Sequence, residues 1–401
     1  MPSSPRRRAV TVLQVVPALD AGGAERATID IAAALAERGD RALVASEGGR
    51  LEAELAEAGA EIFRLPAAAK NPVAMAMNVR RLSRLIRSEK VDLAHARSRA
   101  PAWSAYFACR ATEIPFVTTF HGSYGEENAA KRLYNSVMVR GDAVIANSRY
   151  TAQLIAERYD TLQERIVVIP RGTDLTRFDP AAVNEERRAA LRARWGLSTG
   201  DRVALNLARL TGWKGQRILI EATAEPPLAE IGNLVVVIAG DAQGRNQYRL
   251  ELELLAVAQG VGDRVRIVGH CDDTPAALSL ASVAVIASTE PEAFGRTAIE
   301  AAAMGVPVVA TALGATAETV LAPPYVKPAE RTGWLVRPDH KADLAEAIGE
   351  AVRFPTMQRG LLAGRARHQA ESFATPAMQS ATLALYDRLL HRTGNGGRFS
   401  K

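Results

Sequence analysis

Short apolar runs alternate with amphipathic, helix-like stretches along the whole chain. Uninterrupted apolar runs of this length are typical of strands that are buried on both faces of a parallel sheet. In the first half they lie at 11–16, 41–45, 61–65, 91–95, 115–120, 142–147 and 165–170. The alternation restarts at 202–208, 234–239, 264–268, 282–287, 306–311 and 333–336. The pattern predicts an α/β protein with two parallel sheets.

The two series of strands predict two Rossmann-like domains that face each other across a cleft. At 401 residues the chain is long enough for each domain to have its own core. Segment 183–200 is charged and helix-like and contains few apolar residues, so it is interpreted as the approach to a linker. The predicted domains are therefore 1–196 and 197–374. A last helix in 375–401 has leucines to bury and is expected to pack on the first domain, followed by a frayed tail.

Composition places the chain among ordinary globular proteins. Hydrophobic residues make up 48% and charged residues 23%. No apolar run approaches the length of a membrane span, and the run at 9–18 is too short for a signal peptide, so a cytoplasmic protein is expected. Cys109 and Cys271 lie far apart without CxxC or Cys/His spacing, which indicates neither a disulfide framework nor a zinc site.

The net charge is mildly basic, with 50 Lys and Arg against 44 Asp and Glu. This excess is too small for a dedicated nucleic-acid protein, and aromatic residues, at 5%, are too few for stacking platforms. Part of it lies in the predicted helix 78–90, whose polar side carries Arg80, Arg81, Arg84 and Arg87. That side is either a solvated face or a surface that contacts anionic lipid or an acidic acceptor.

Two carboxylates flank the start of a helix in segment 288–311. A short Ala-rich helix begins near Gly295 and ends at Gly305. The free backbone N–H groups at the start of such a helix suit an anion, whereas Glu292 and Glu300 repel an anion unless they bind something else, such as hydroxyl groups. A phosphorylated sugar supplies both kinds of group, so the segment predicts a sugar-nucleotide site.

Glycines or cations follow the first strand of each half. Gly22 and Gly23 lie between a strand and a helix, where a ligand can approach the backbone closely. The loop matches neither GxGxxG nor GxxxxGK[ST], and a plain tight turn explains it equally well. Arg209 and Lys214, separated by a Gly-containing loop, can clamp a diphosphate, with a solvated surface turn as the alternative.

Other candidates also stand at strand ends. His121 is a candidate for the mouth of the cleft, but His95 ends a strand too, and the sequence does not rank them. Gly240 and Gly269 leave room for a flat base against the backbone. No DxD pair suited to a metal-bound diphosphate is present, so neither an obligatory divalent ion nor another cofactor is expected.

In order along nearly the whole chain, these segments resemble the retaining glycosyltransferases of family 4, which have the GT-B fold. The matching motifs are Gly22-Gly-Ala-Glu-Arg26, Thr119-Phe-His-Gly122, Ala146-Asn-Ser148, Ile169-Pro-Arg-Gly-Thr-Asp174, Arg209 with Lys214-Gly215, Ala239-Gly240, Val268-Gly269 and Glu292-x7-Glu300. One departure is visible, because the family usually has Pro-Asn-Gly-Val-Asp where this chain has Arg171 and Thr173. That change predicts an altered acceptor or donor preference.

The resemblance implies that a nucleotide diphosphate sugar binds the C-terminal domain as the co-substrate. Glu300 would bind the ribose hydroxyls. Glu292 would hold the transferred sugar and its phosphates together with the backbone of Phe294, Gly295, Arg296 and Thr297.

The remaining implied roles concern the diphosphate and the reacting centre. Arg209 and Lys214 would neutralise the leaving diphosphate, as a metal does elsewhere. Gly23, in the Gly22-Gly23 loop, would touch the phosphate from across the cleft, and His121 would line the reacting centre.

The implied enzyme is a metal-independent, retaining hexosyltransferase. It would move a hexose from a UDP- or GDP-sugar to a hydroxyl of a glycan or lipid-linked acceptor, in lipopolysaccharide or exopolysaccharide synthesis. A cytoplasmic enzyme in peripheral contact with the inner face of an anionic membrane is expected. A nucleotide-sugar epimerase of the same fold and a non-catalytic sugar-nucleotide-binding protein are the alternatives, and the ordered motifs and intact charged residues count against them.

Overall fold

The computed structural model describes residues 8–20, 22–122, 124–125, 128–244 and 246–394. The chain forms two compact units. The first unit consists of the chain up to Gly172 together with the chain from Thr375 onward, and the second consists of Thr173–Ala374. The tail predicted after residue 394 lies outside the described residues.

The first unit is built on a parallel seven-stranded sheet with the order β3-β2-β1-β4-β5-β6-β7. The strands are β1 Thr11–Val15, β2 Arg41–Ser46, β3 Ala60–Arg64, β4 Leu93–Ala96, β5 Phe116–Phe120, β6 Ala143–Ala146 and β7 Ile166–Val168. Alternate side chains enter two apolar clusters, so that Leu13 packs on one face of the sheet and Val12 on the other. Burial on both faces explains why the strands read as uninterrupted apolar runs.

Helices cover both faces of this sheet. They are α1 Gly23–Glu37, α2 Glu52–Glu57, α3 Pro72–Ser88, α4 Arg99–Thr112, α5 Ala129–Asn135 and α6 Arg149–Arg158, joined after the second unit by α16 Thr375–Gly394. Helix α16 contributes Leu385, Tyr386 and Leu389 to the same core as Val12. The sequence predicts that the last helix packs on the first domain, and the structure shows this packing within the first unit.

The second unit has a parallel six-stranded sheet with the order β10-β9-β8-β11-β12-β13. Its strands are β8 Arg202–Leu207, β9 Leu234–Ala239, β10 Val265–Gly269, β11 Ala281–Ile286, β12 Val308–Thr311 and β13 Gly333–Val336. Its helices are α7 Glu185–Arg194, α8 Gln216–Thr223, α9 Pro226–Ala229, α10 Asn246–Ala258, α11 Thr274–Leu280, α12 Arg296–Ala303, α13 Thr316–Thr319, α14 Lys341–Arg353 and α15 Thr356–Glu371. Every strand predicted from the sequence in either half is present within a few residues of its expected bounds.

The division between the units falls earlier than the predicted boundary at 196/197. Segment 183–200, interpreted as the approach to a linker, lies inside the second unit, because α7 belongs to that unit and places Leu191 and the following Trp195 in its core. Arg187 of α7 also donates two hydrogen bonds to the Asp273 carboxylate, at 2.8 and 2.6 Å. A few buried positions suffice to attach a helix whose other side is charged. The second predicted boundary, 374/375, coincides with the end of the second unit.

The basic helix predicted at 78–90 corresponds to α3, which buries Leu82 and Ile86. Its arginines at 80, 81, 84 and 87 are exposed, as the amphipathic pattern predicts. None of the described helices combines the length and the apolar character that crossing a membrane requires. Cys109 and Cys271 are both buried and free.

Candidate functional site

The strand order of the second sheet reverses between β8 and β11, its central neighbours. Ligands of open α/β sheets bind at the carboxyl ends of the strands at such a switch point. The loop after β8 carries Arg209 and Lys214, and the loop between β11 and α12 carries Glu292. The topology therefore places these three predicted residues on the two loops that border the switch point.

Lys214 and Glu292 contact each other directly at this position. The Lys214 ammonium forms an ion pair with Glu292 Oε1, and the two side chains are only 18% and 11% exposed. Ser288 Oγ donates a second hydrogen bond to the same oxygen, at 2.6 Å. The Lys214 Nζ also lies 4.1 Å from the centre of the Trp213 ring. The carboxylate is thus held by one charged and one neutral donor in a largely dry environment.

Backbone contacts fix the two loops against each other. The Thr289 amide donates to the Trp213 carbonyl oxygen at 2.8 Å. The Glu292 carbonyl oxygen accepts from the Ala315 amide, also at 2.8 Å. Gly215 adopts φ +69°, and a Cβ at this position would overlap the Ala287 carbonyl oxygen. The contact between Lys214 and Glu292 is therefore set by backbone geometry as well as by charge.

Helix α12 begins after Gly295, which has the left-handed φ of +80° that glycine adopts without strain. The first-turn amides of a helix have no partners within the helix, so the amides of Arg296 and Thr297 suit an anion. Thr297 also ties α12 to β8, because its hydroxyl donates to the Leu207 carbonyl oxygen at 3.3 Å. The Phe294 side chain points into the core, 5.7 Å from the Phe373 ring between centroids.

Glu300 lies on α12, one turn after Arg296. The residue is 7% exposed, and its Oε1 accepts from Arg296 Nε at 2.9 Å. Burial removes most of the water from this carboxylate, and the guanidinium stabilises its charge. The arrangement fixes one carboxylate oxygen near the start of the helix.

Two further predicted glycines meet at the ends of β9 and β10. The Gly240 amide donates to the Gly269 carbonyl oxygen at 2.7 Å. A Cβ on Gly240 would overlap the Ala208 carbonyl oxygen, whereas Gly269 faces open space. Glycine at position 240 is therefore required for close packing of the strand ends, and Gly269 leaves free volume beside them. Arg209 is exposed on the neighbouring loop.

The first unit has its own switch point between β1 and β4. Gly22 and Gly23 follow β1, and Gly22 adopts φ +146° at the start of α1. A Cβ on Gly23 would overlap the Arg171 guanidinium, so the guanidinium lies directly over the start of this helix. Burial raises the pKa of Glu25, an effect that its own backbone hydrogen bond and the nearby Arg171 cation oppose.

The structure distinguishes the two histidines that the sequence left unranked. Both ring nitrogens of His95 have neutral partners, since Nδ1 lies 2.6 Å from the Tyr386 hydroxyl and Nε2 2.7 Å from Thr119 Oγ1. His95 is fully buried, and this burial places its pKa well below the usual value. His121 instead contacts Arg171, whose Nη2 lies 3.1 Å from His121 Nδ1. His95 is therefore a structural residue of the core.

Two protein-family models match the chain in succession. Residues 21–177 match the model described as Glycosyltransferase Family 4, and residues 187–361 match the model described as Glycosyl transferases group 1. Between them they span most of both compact units. The chain belongs to glycosyltransferase family 4.

Individual relatives agree with this assignment. A D-inositol 3-phosphate glycosyltransferase of Salinispora arenicola is 33% identical over 244 residues, which cover 56% of this chain and 54% of that protein. A glycosyltransferase of Rickettsia africae has a crystal structure that is 32% identical in sequence, with a TM-score of 0.87 and coverage of 96% and 99% of the two chains. The Anabaena protein HepE, crystallised with UDP-glucose, is 24% identical with a TM-score of 0.79, covering 94% of this chain and 99% of its own. The predicted GT-B fold is confirmed.

In this family 4 glycosyltransferase the predicted residues fall into separate groups. Lys214 contacts Glu292, and Gly240 contacts Gly269, whereas Glu300 pairs with Arg296 on the same helix. Gly22, Gly23 and His121 belong to the first unit. Their roles in binding and catalysis stay predictions.

Some residues of the site were missed by sequence reasoning. Ser288 was not among the predicted site residues, although a hydroxyl at the end of a buried strand, four residues before Glu292, is a usable signal. Trp213 had no signal, because its contact with Lys214 depends on side-chain geometry. Arg171 did have a signal in the sequence, because it stands where the family usually has Asn.

Among the residues that the structure describes, no group of three or more His, Cys, Asp or Glu side chains could hold a metal ion. Whether the reaction requires a metal is a separate matter, and the metal-independent reaction stays a prediction.

Proposed function

We propose that this family 4 enzyme transfers a hexose from a nucleotide diphosphate sugar to an acceptor hydroxyl with retention of anomeric configuration. The observation that carries the proposal is the buried Glu292 carboxylate, which is held by Lys214 and Ser288 at the switch point of the second sheet. A carboxylate can bind sugar hydroxyls, and the adjacent ammonium can bind phosphate, so one pair of side chains serves both parts of the donor.

The charges at the site support this division of roles. Lys214 and the exposed Arg209 supply positive charge for the diphosphate, and the first-turn amides of Arg296 and Thr297 supply further donors. Glu300 is proposed to accept hydrogen bonds from the ribose hydroxyls through the oxygen that does not contact Arg296 Nε. Gly240 and Gly269 are proposed to border the base, while Gly22, Gly23 and His121 contact the phosphate and the reacting sugar.

Retention requires the acceptor oxygen to bond to the anomeric carbon on the face from which the diphosphate leaves. In the proposed step the bond between the anomeric carbon and the phosphate oxygen breaks, and the acceptor oxygen takes its place. The acceptor proton passes to the leaving phosphate, which acts as the base. Stabilising the negative charge of that phosphate is the task of Lys214 and Arg209.

A screen of common UDP-, GDP- and ADP-sugars by thermal shift and by donor hydrolysis tests the proposal. One nucleotide sugar should raise the thermal midpoint and be consumed, and NMR of the glycoside formed with an acceptor should show the anomeric configuration of the donor. Release of an isomerised nucleotide sugar would instead indicate an epimerase, and binding without turnover a non-catalytic protein. Turnover that is lost in EDTA and restored by magnesium would refute metal independence.

Replacing Glu300 by Gln is expected to weaken nucleotide-sugar binding by about tenfold or more, because hydrogen bonds to a charged group contribute about 1.5–3 kcal/mol each. Isothermal titration calorimetry with the donor found in the screen measures the change. The matched control is Glu253→Gln, since Arg249 and Glu253 form an Arg–Glu pair with the same spacing and the same 2.9 Å contact on exposed α10. Unchanged affinity in Glu300→Gln would remove its proposed ribose role.

The acceptor is proposed to be a hydroxyl of a glycan or lipid-linked molecule, in lipopolysaccharide or exopolysaccharide synthesis. The Salinispora relative is by name a D-inositol 3-phosphate glycosyltransferase, but its alignment covers only about half of each chain. Inositol phosphate is therefore the comparison acceptor in the same assay. Glycosylation of inositol phosphate in preference to glycan acceptors would overturn the envelope-glycan assignment.

We also propose that the enzyme is cytoplasmic and makes peripheral contact with an anionic membrane surface. The exposed arginines of α3 support the membrane contact. Flotation with liposomes should recover the protein when anionic lipid is present and lose it when the lipid is neutral or the salt is high. Replacing Arg80, Arg84 and Arg87 by Gln should abolish flotation. If the variant still floats, the α3 face is not the contact surface.

A further inference from the structure

The hydrogen bond between Arg171 and His121 determines which ring nitrogen of His121 carries the proton. Arg171 Nη2 lies 3.1 Å from His121 Nδ1. A guanidinium has only N–H donors and no acceptor, so Nδ1 must be the acceptor. A neutral imidazole whose Nδ1 accepts carries its proton on Nε2.

That proton has no acceptor within the described part of the chain. His121 Nε2 is buried and lacks a hydrogen-bond partner there. An unsatisfied buried donor is destabilising, and native structures rarely retain one without a reason. His95, which is fully buried, has hydrogen-bond partners for both ring nitrogens. His121 therefore presents an N–H group suited to an oxygen atom of a ligand.

The charges around His121 favour the neutral ring. Burial places the pKa of His121 well below its usual value, and the Arg171 and Arg97 cations add to this effect. The Tyr124 hydroxyl contacts the His121 backbone amide at 3.5 Å, and His95 is a further titratable group that interacts with His121. A protonated imidazole would direct an Nδ1–H at the Arg171 guanidinium, so protonation also breaks the hydrogen bond.

Arg171 is held in place by the backbone around it. A Cβ on Gly23 would overlap the guanidinium, so the glycine provides the space that Arg171 occupies. Asn147 Nδ2 donates to the His121 carbonyl oxygen at 3.3 Å, and Arg171 Nη2 lies 3.4 Å from the same oxygen. The family usually has Asn at the position of Arg171, so this contact is not expected from the resemblance.

We infer that Arg171 is a positioning residue that fixes His121 as the Nε2–H tautomer, so that His121 donates a hydrogen bond to a substrate oxygen and does not accept a proton. The identity of the substrate rests on the proposed function, whereas the tautomer does not. The arrangement also excludes His121 as the base for the acceptor hydroxyl, which is consistent with a proton transfer to the leaving phosphate.

Nitrogen-15 NMR of the histidine side chains in the free protein tests the tautomer without any substrate. The chain has 6 histidines, and His121→Gln identifies the signal. At neutral pH, wild-type His121 should show a protonated Nε2 and an unprotonated Nδ1. A protonated Nδ1 with a bare Nε2, or a doubly protonated ring at neutral pH, overturns the inference whatever reaction the enzyme catalyses.

Variants of Arg171 test its role as the positioning group. Arg171→Met removes both the donor and the charge, so the titration midpoint of His121 should rise, whereas Arg171→Lys should keep it near the wild-type value. Arg50→Met is the matched control because Arg50 is exposed in the same unit. An unchanged midpoint in Arg171→Met refutes the positioning role.

Kinetics then separate the donor role from a base role. Glutamine at position 121 supplies an N–H donor but cannot take up a proton, whereas phenylalanine supplies neither. His121→Gln is expected to keep kcat within about tenfold of wild type and His121→Phe to lose more, because only glutamine retains an N–H donor. If His121 were a general base, both variants would lose about 10²–10⁴-fold. An equal loss of that size in both variants would contradict the donor role, even if the NMR result stands.

Discussion

Replacing Lys214 by Met is expected to lower kcat by about 100-fold or more, the usual effect of removing one donor to a developing negative charge. The Lys214 Nζ lies 4.1 Å from the centre of the Trp213 ring, and methionine leaves an apolar side chain of similar length beside that ring. What it removes is the positive charge, which in the proposed reaction stabilises the leaving diphosphate. The loss should appear mainly in kcat measured at saturating donor.

The same substitution also leaves Glu292 without its cation. The Glu292 residue as a whole is only 8% exposed, and its carboxylate would keep one neutral hydrogen-bond donor, Ser288. Removing one partner of a buried ion pair can destabilise a protein by several kcal/mol, although the partial exposure of both side chains reduces this cost. The thermal midpoint of each variant must therefore be measured beside its turnover.

Two further variants separate catalysis from stability. Lys341→Met is the matched control, because Lys341 pairs with Glu225 at 2.9 Å on the surface of the same unit. The double variant Lys214→Met, Glu292→Gln removes the unpaired charge and should recover stability without recovering turnover. Turnover of Lys214→Met within threefold of wild type at a temperature where it is folded would contradict the proposed role of Lys214.

Features that depend on local sequence were predicted well. Buried parallel strands must be apolar on both faces, so all strands of both sheets could be read from runs such as 234–239. The start of α12 was equally clear, because Gly295 is the residue type that its left-handed conformation favours. The positions of loops at the strand ends follow from the same pattern, which is why most candidate residues lie at the switch points.

Features that depend on distant side chains were predicted poorly. The pairing of Lys214 with Glu292 joins residues 78 positions apart, and nothing in the periodicity of either segment specifies it. Only the backbone of Phe294 was predicted to take part in the site, and nothing in the local sequence indicated that its side chain packs in the core. Segment 183–200 was interpreted as the approach to a linker because it contains few apolar residues. Buried residues such as Leu191 and Trp195, together with the Arg187–Asp273 pair, nevertheless attach α7 to the second unit.

Replacing Gly215 by Ala is expected to destabilise the second unit by about 3 kcal/mol or more, since it combines left-handed backbone strain with overpacking. The clash is with backbone, because the new Cβ would overlap the Ala287 carbonyl oxygen and lie 2.6 Å from its carbon. A clashing side chain could rotate away, but the clash here is with the Ala287 backbone. That backbone cannot move freely because Ala287 directly follows β11 and is fixed by the sheet. For a unit of this size the thermal midpoint should fall by roughly 6–12 °C.

Gly196→Ala separates the two causes, because Gly196 has a similar φ of +63° but no atom within 4 Å of the added Cβ. Gly196→Ala should lose only about 1–2 kcal/mol of stability, which is the cost of the backbone strain. Its thermal midpoint should therefore fall by roughly 2–8 °C. The clash in Gly215→Ala also pushes the loop of Lys214 away from the loop of Glu292. The affinity for the nucleotide sugar should therefore fall in Gly215→Ala, even at temperatures below the thermal midpoint of that variant. It should stay unchanged in Gly196→Ala. Equal midpoints for the two variants would show that the approach of Gly215 to Ala287 does not hold the site together.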